Sequence, residues 1–417
     1  MHRKRRSGCL PVCLVALCLC LGAGCITAGL MKEKGDAPAL VREVVQKVAQ
    51  KNIPFREIAV TEEEVEGKFY YGLLDETEKQ VYKEILDGLR ENADTIYLHS
   101  GDGERVNFIF QNVLNDHPEI FWCGGTATAT TFPERLGQDA YVELTPQYSY
   151  SGSDKERMLA EIETAAESCL AQIPEEATEY EKIKFVYEYL INTVDYQMDA
   201  PDNQNIYSAL VNHASVCAGY ARSTQYLLEK AGIFCAYVTG TAADGDGNLE
   251  NHAWNLVQCN GNYYFVDTTW GDPVFSQEAG MSSQEEAPLQ KRAMPYDYLC
   301  CSGRELFKTH TLEEGYAYPE CAWEDLNYYQ LNGMYYDSFE PEQIRDKIYR
   351  SIDRKEEAIV FKFADESVYQ QAHDVILEEL VRDAAAYLGR SYDLSEVRYS
   401  YEEERTLCKL TIYWSYE

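Results

Sequence analysis

Apolar residues along this chain follow two periodicities, and the switches between them mark its elements. From Asp75 the spacing is helical, with Val81, Ile85, Leu86 and Leu89 on one face, as in a helix that buries a single stripe. Asp75 and Glu78 stand three apart at its start, the arrangement of a capping box. Residues 94–150 read strand, helix, strand, strand: TIYLH, ERVNFIFQNVLND, FWCGGTATATTF, AYVELTPQYSY. Residues 154–194 read as two helices, the second opened by Thr178 and Glu181 and carrying Ile183, Val186, Tyr187, Leu190 and Ile191 in period. A helix is predicted over 217–231, with Tyr220, Leu227, Leu228 and Ala231 apolar, Ser215 placed to cap it and Gly232 to end it. Two strands, 251–259 and 262–267, meet at Asn260-Gly261, the strongest short hairpin signal because both central residues need a positive φ. The order strand, helix, strand, strand returns over 358–416, around a long helix from Val368 to Leu388.

The fold class expected is α+β. The pattern divides the chain into a targeting segment (1–25), a tether (26–74), an N-terminal α+β module (75–153), a core domain (154–340) and a C-terminal α+β module (341–417). Residues 274–295 read as an exposed loop. Residues 296–340, rich in Tyr and Trp, are expected to wall a cleft or to pack the domain edge.

The hairpin carries a chemical consequence. A two-residue turn at 260–261 sets 259 opposite 262, 257 opposite 264 and 254 opposite 267. Side chains alternate faces, so His252 and Trp254 share a face with Asp267, and His252 and Asp267 become diagonal neighbours roughly 7–8 Å apart at the backbone. Cys217 falls in the first turn of the predicted helix, where free N–H groups and the helix dipole favour the thiolate, the nucleophilic form. A nucleophile, a base and a group that orients the base are the parts of an acyl-transfer site.

The segments VCAGYA, NHAWNLV and VDTTWGDP, in this order, resemble the three motif blocks of the transglutaminase-like superfamily, a branch of the papain-like cysteine enzymes. The resemblance covers residues 178–273 well and extends loosely to 340. It implies a core in which a helix bearing Cys217 packs on an antiparallel sheet bearing His252 and Asp267, with Cys217 as nucleophile, His252 as base and Asp267 as the orienting acid. Ala218 departs from the pattern, since many relatives carry an acidic or amide residue after the cysteine. The activity implied is peptidase, amidase or protein crosslinking. A non-catalytic peptide- or glycan-binding module is the alternative of a different class.

Other candidates surround these. Gln204 and Tyr207 precede Cys217 and are expected as oxyanion donors; Trp254 and Trp270 flank the site and are expected to wall it. Cys235, Cys259 and Asp272 read as structural, and His213 as a poorer base because the paired acid belongs to His252. Residues 244–250 resemble the start of a calcium loop but lack its later glycine and bidentate Glu. No zinc-type C-x-x-C pair and no Gly-rich phosphate loop occurs, so no metal or cofactor is expected.

Composition adds location. The chain of 417 residues is 45% hydrophobic and 12% aromatic, which suits packed cores rather than disorder. A basic start, an apolar run from Leu10 to Leu21 and the small residues Gly22-Ala23-Gly24 make a secretory signal pattern. Cys25 follows them as in a lipoprotein lipidated after cleavage, which predicts an extracytoplasmic, membrane-anchored or secreted body acting on a peptide or protein substrate at the cell surface. Net charge is −33, and loss of the four basic residues before Cys25 takes it to −37. A surface this acidic repels nucleic acid. Nine cysteines remain after Cys25, an odd count that fits one reactive thiol plus up to four disulfides, or nine free thiols.

Overall fold

The computed structural model describes residues 53–135, 138–243, 247–272 and 293–416. The targeting segment with Cys25, much of the expected tether, the first three residues of the calcium-loop-like stretch at 244–250, and nearly all of the loop at 274–295 lie outside the described residues.

The last part of the expected tether is not a tether. Val60, Val65, Tyr70, Tyr71 and Leu74 are buried, on and beside two single-turn helices, α1 (Glu62–Val65) and α2 (Phe69–Gly72). The backbone N–H groups of Tyr70 and Tyr71 donate to Asp116 at 3.0 and 2.9 Å, and the Tyr70 hydroxyl donates to the Tyr237 carbonyl at 2.6 Å. The acidic TEEEVEG run disguised an aromatic anchor just beyond it.

Helix α3 (Glu76–Arg90) begins as predicted: Asp75 accepts from the N–H groups of Thr77 and Glu78, and its own N–H donates to Glu78 at 3.1 Å. Strand β1 (Ile96–Leu98), helix α4 (Gly103–Asp116) and strands β2 (Cys123–Phe132) and β3 (Tyr141–Tyr148) follow. The strands form an antiparallel sheet in the order β1-β3-β2. Its core does not stop at residue 153, because one hydrophobic cluster joins Leu86, Val113 and Leu144 to Ile162, Val186 and Tyr220.

Helices α5 (Gly152–Leu170) and α6 (Glu179–Thr193) come next, α6 opening on the expected Thr178–Glu181 capping box. Short strands β4 (Asp195–Tyr196) and β5 (Ala214–Ser215) bracket helix α7 (Ile206–Leu210) and lead into α8 (Cys217–Lys230). Helix α8 packs on strands β6 (Cys235–Ala243) and β7 (Leu249–Cys259). With β8 (Asn262–Val266) and β9 (His310–Leu312) these make an antiparallel sheet in the order β8-β7-β6-β9. The hairpin register is the predicted one, Cys259 facing Asn262 and Val257 facing Tyr264, and Asn260 and Gly261 both have positive φ (52° and 81°).

Ser215 does not cap α8. The cap position is Val216, which offers no side-chain bond, and the Ser215 hydroxyl donates instead to the Asn203 carbonyl at 2.6 Å. The loop through Asn203 lies across the helix start and takes the serine. Gly219 permits this crossing, since a Cβ there would stand 1.9 Å from Ser215 Oγ.

The C-terminal sheet has the order β10-β11-β13-β12, from β10 (Tyr335–Tyr336), β11 (Ala358–Phe363), β12 (Tyr399–Glu404) and β13 (Lys409–Trp414). Strand β10 lies before residue 341, so the chain enters this sheet earlier than the drawn boundary. A separate hydrophobic cluster fills it, and buried ions join it to the core domain: Lys362 to Asp297 (2.9 Å) and Glu305 (3.1 Å), and Lys409 to Asp297; Lys409 also pairs with Glu404 within the sheet. The tyrosines of 296–340 mostly pack this edge: Tyr298, Tyr329 and Tyr336 are buried, and Tyr318 stacks on Phe69 at 5.2 Å. No helix among the described residues is long and apolar enough to cross a membrane.

Candidate functional site

Three elements converge at one end of the β6–β7 ladder. Helix α8 presents Cys217 at its first residue, and Val216 offers its first-turn amides no capping side chain. Strand β7 presents His252. Asp267 is the first residue beyond β8.

His252 Nε2 lies 2.7 Å from Asp267 Oδ2, and both side chains are buried. Cys217 is a further side-chain partner of the imidazole. Burial opposes a charge on His252, but the Asp267 carboxylate and the Cys217 sulfur outweigh it and raise the imidazole from 6.5 to about 10. Asp267 is fully enclosed, which disfavours its charge. Hydrogen bonds and positive potential from His252, then His310, hold it well below the ordinary carboxylate range. Its other oxygen, Oδ1, accepts the N–H groups of Thr269 (2.9 Å) and Trp270 (3.1 Å).

His310 escaped the sequence reading. It comes from β9, which pairs with β6 far along the chain, and its Nε2 lies 3.0 Å from Asp267 Oδ2. Gly240 lets β9 approach, since a Cβ there would sit 2.0 Å from the Thr311 carbonyl oxygen. Nothing local in FKTHTLEEG marks this histidine; the signal lies in the sheet order alone.

Cys217 and His252 line an open cleft of about 700 Å³, with Gln204, Tyr237, Thr239 and Glu313 around them. Gln204 is among the residues that line this cleft. Tyr207 is not: its hydroxyl donates to Glu161 at 2.7 Å, because α7 turns the ring toward α5. Trp254 and Trp270 lie behind His252 with ring centroids at 5.9 and 6.0 Å. Trp254 is wholly buried, so the pair forms the dry backing of the imidazole rather than a substrate contact. Asp272 is structural, accepting from the Tyr220 hydroxyl at 3.1 Å, and His213 is exposed at a positive φ of 57°.

All nine described cysteines are free thiols, and Cys217 is the one that is not buried. Burial pushes the others up, Cys169, Cys259 and Cys321 each to about 12. His252, Asp267 and His310 form a group of metal-ligand types within 4.8 Å among the described residues. Both imidazoles turn Nε2 toward the same carboxylate oxygen at hydrogen-bonding distance, which asks for a proton where a metal would need a lone pair.

Residues 168–268, which hold Cys217, His252 and Asp267, match the model of the transglutaminase-like superfamily. This segment is a transglutaminase-like core. The kyphoscoliosis peptidases of Mus musculus and Homo sapiens are 24% and 25% identical to the chain over 112 residues, 24% of this chain and 17% of each relative. The chain thus spans about a sixth of the length of the curated relatives it matches. Among solved structures, a TGase aligns at 16% identity over 35% of this chain and 44% of its own, with a TM-score of 0.24. The periplasmic domain of TgpA from Pseudomonas aeruginosa aligns at 18% identity over 33% and 58%, with a TM-score of 0.20. The transglutaminase-like core is therefore placed by its sequence match. Outside it lie the N-terminal sheet, the C-terminal sheet and the His310 strand.

Proposed function

We propose that the protein is an extracytoplasmic cysteine enzyme that transfers acyl groups from peptide or protein amides, with water as the preferred acceptor. The observation that carries this reading is the hydrogen-bonded series Cys217–His252–Asp267 opening on a cleft. In the proposed reaction the Cys217 thiolate attacks the amide carbonyl. The C–N bond breaks, His252 gives the leaving nitrogen its proton, and a thioester remains on Cys217. Water then attacks the thioester carbonyl and loses a proton to His252, the C–S bond breaks, and the carboxylic acid departs as the Cys217 thiolate re-forms beside the protonated His252. The first-turn amides of α8 and the Gln204 side chain supply donors to the tetrahedral oxyanion. Hydrolysis is favoured over crosslinking because the cleft is open to water and holds no enclosed chamber for an amine.

The membrane side of the proposal rests on residues 1–25, with lipidation at Cys25. Cys25→Ser is expected to move the protein from the membrane fraction to the medium.

The reaction is tested by incubating the protein with a casein-type substrate in two parallel assays, release of new amino groups and incorporation of a fluorescent primary amine. Release of amino groups, abolished in Cys217→Ala, is expected. Amine incorporation alone would make the enzyme a crosslinker. Activity that survives Cys217→Ala would end the proposal.

A further inference from the structure

His310 is buried, comes from a strand outside the matched core, and is used by no step above. Its surroundings determine where its proton sits. Asp267 is held ionised and so only accepts, which requires His310 Nε2 to carry the hydrogen in the 3.0 Å contact. Burial, helped by the nearby His252, works against a second positive charge on His310 and keeps it neutral despite the pull of Asp267. A neutral ring protonated at Nε2 has a lone pair at Nδ1. That lone pair lies 2.8 Å from Thr309 Oγ1, which must then be the donor. Thr309 Oγ1 in turn lies 2.9 Å from the buried Tyr298 hydroxyl, which donates to it. With the Thr309 hydrogen given to His310 Nδ1 at 2.8 Å rather than to the Leu306 carbonyl at 3.3 Å, one assignment satisfies the series from Tyr298 to Thr309 to His310 to Asp267. The groups that face the His310 ring are Asp267, His252, Thr309, Tyr298 and the rings of Trp254 and Trp270.

Both histidines reach the same oxygen, Asp267 Oδ2. His310 approaches from β9, at the far edge of the sheet from the β8 end that carries Asp267. The carboxylate is therefore held from two directions, by the Thr269 and Trp270 amides on Oδ1 and by His310 on Oδ2. Without His310, the carboxylate would be held only through Oδ1 by the Thr269 and Trp270 amides, and the aim of Oδ2 at His252, and so of the imidazole at Cys217, would loosen.

We propose that His310, with its tautomer set by Thr309 and Tyr298, is a positioning residue that holds the Asp267 carboxylate so that His252 stays aimed at Cys217.

This inference rests on the reading of Cys217 as a nucleophile, and one experiment separates the two. The rate of iodoacetamide alkylation of Cys217 is followed by peptide mass spectrometry from pH 5 to 10 in full-length wild type, His310→Leu, His310→Gln, Thr309→Val and His252→Ala, with melting temperatures measured alongside. In wild type, Cys217 is expected to react far faster than the buried cysteines even below neutral pH. His310→Leu is expected to lose ten- to a hundredfold of that low-pH rate, roughly the scale of an ångström-sized misplacement of a reacting group. Thr309→Val should show a smaller loss with the same pH dependence. His310→Gln, whose amide N–H can still donate to Asp267, should recover most of the rate. A His310→Leu profile superimposable on wild type would overturn the inference. So would losses in His310→Leu and His310→Gln that are equal at every pH and track their melting temperatures, for His310 would then only fill space. If wild-type Cys217 reacts no faster than the other cysteines, the nucleophile reading falls first and this inference falls with it.

Discussion

An aspartate sealed from solvent persists at 267 because donors meet it on both oxygens: His252 and His310 on Oδ2, the Thr269 and Trp270 amides on Oδ1. A buried carboxylate without such partners would take up a proton or unfold its surroundings. Asp267→Asn is therefore expected to remove the force that raises His252 and to cost on the order of 10³–10⁴ in turnover, as when an orienting acid is neutralised beside a catalytic imidazole. The same pair makes stability depend on pH. His252 is raised from 6.5 to about 10 on folding. Its contribution is thus complete below 6.5 and is lost as pH climbs through about 10. Asp267, depressed on folding, contributes in the opposite sense, a stabilisation that is lost only in strong acid. Urea denaturation at pH 6 and pH 10 should show wild type losing more stability over that interval than Asp267→Asn. Equal losses would mean that the pair is not charged in the folded protein.

At the scale of the element, the β7–β8 hairpin and the start of α8 carry the site, and each depends on a few glycines. Gly261 completes the turn at φ 81° with nothing within 4 Å of a would-be Cβ, so only backbone strain opposes alanine there. Gly261→Ala should cost about 1–2 kcal/mol of stability, the penalty for a left-handed residue with a side chain, and leave alkylation of Cys217 nearly unchanged in the folded fraction. Gly240 differs, because its missing Cβ is what admits the Thr311 carbonyl 2.0 Å from that position. Gly240→Ala should push β9 off β6, withdraw His310 and reproduce the His310→Leu alkylation profile. A Gly240→Ala protein with wild-type reactivity would mean that β9 has nothing to do with the site.

At the scale of the whole molecule, the N-terminal sheet shares its core with the central domain, whereas the C-terminal sheet is latched on by buried charges. The C-terminal sheet has its own hydrophobic cluster, and its ionic tie to the core domain runs through Lys362 and Lys409 on Asp297 and Glu305. Burial raises Glu404, the neighbour of Lys409 within the sheet, to about 7 although Lys409 pulls the other way. Removing one partner of a buried ion pair leaves the other uncompensated, commonly at about 3–5 kcal/mol. Lys409→Met should therefore release the C-terminal sheet first, giving protease cleavage near residues 293–340 before the core domain melts. A single cooperative transition at the wild-type temperature would contradict this. The N-terminal arm is attached differently, by Tyr70 inserted under Tyr237 at the cleft.

Elements whose stabilising contacts are local were readable from the chain. The capping boxes at Asp75 and Thr178 and the Asn260-Gly261 turn each act within four residues, so composition and spacing carried them. The turn fixed the register, and the register put His252 and Asp267 on one face without any further information. Local pattern misled where a distant segment competed: Ser215 is drawn from the helix start to Asn203, Tyr207 to Glu161, and Tyr70 and Tyr71 to Asp116. His310 was illegible for the same reason, since its meaning comes from β9 closing on β6 across nearly 70 residues of intervening chain, an approach set by long-range packing. Neighbours in the chain decided which residues could face one another; only the folded core decided which of them do.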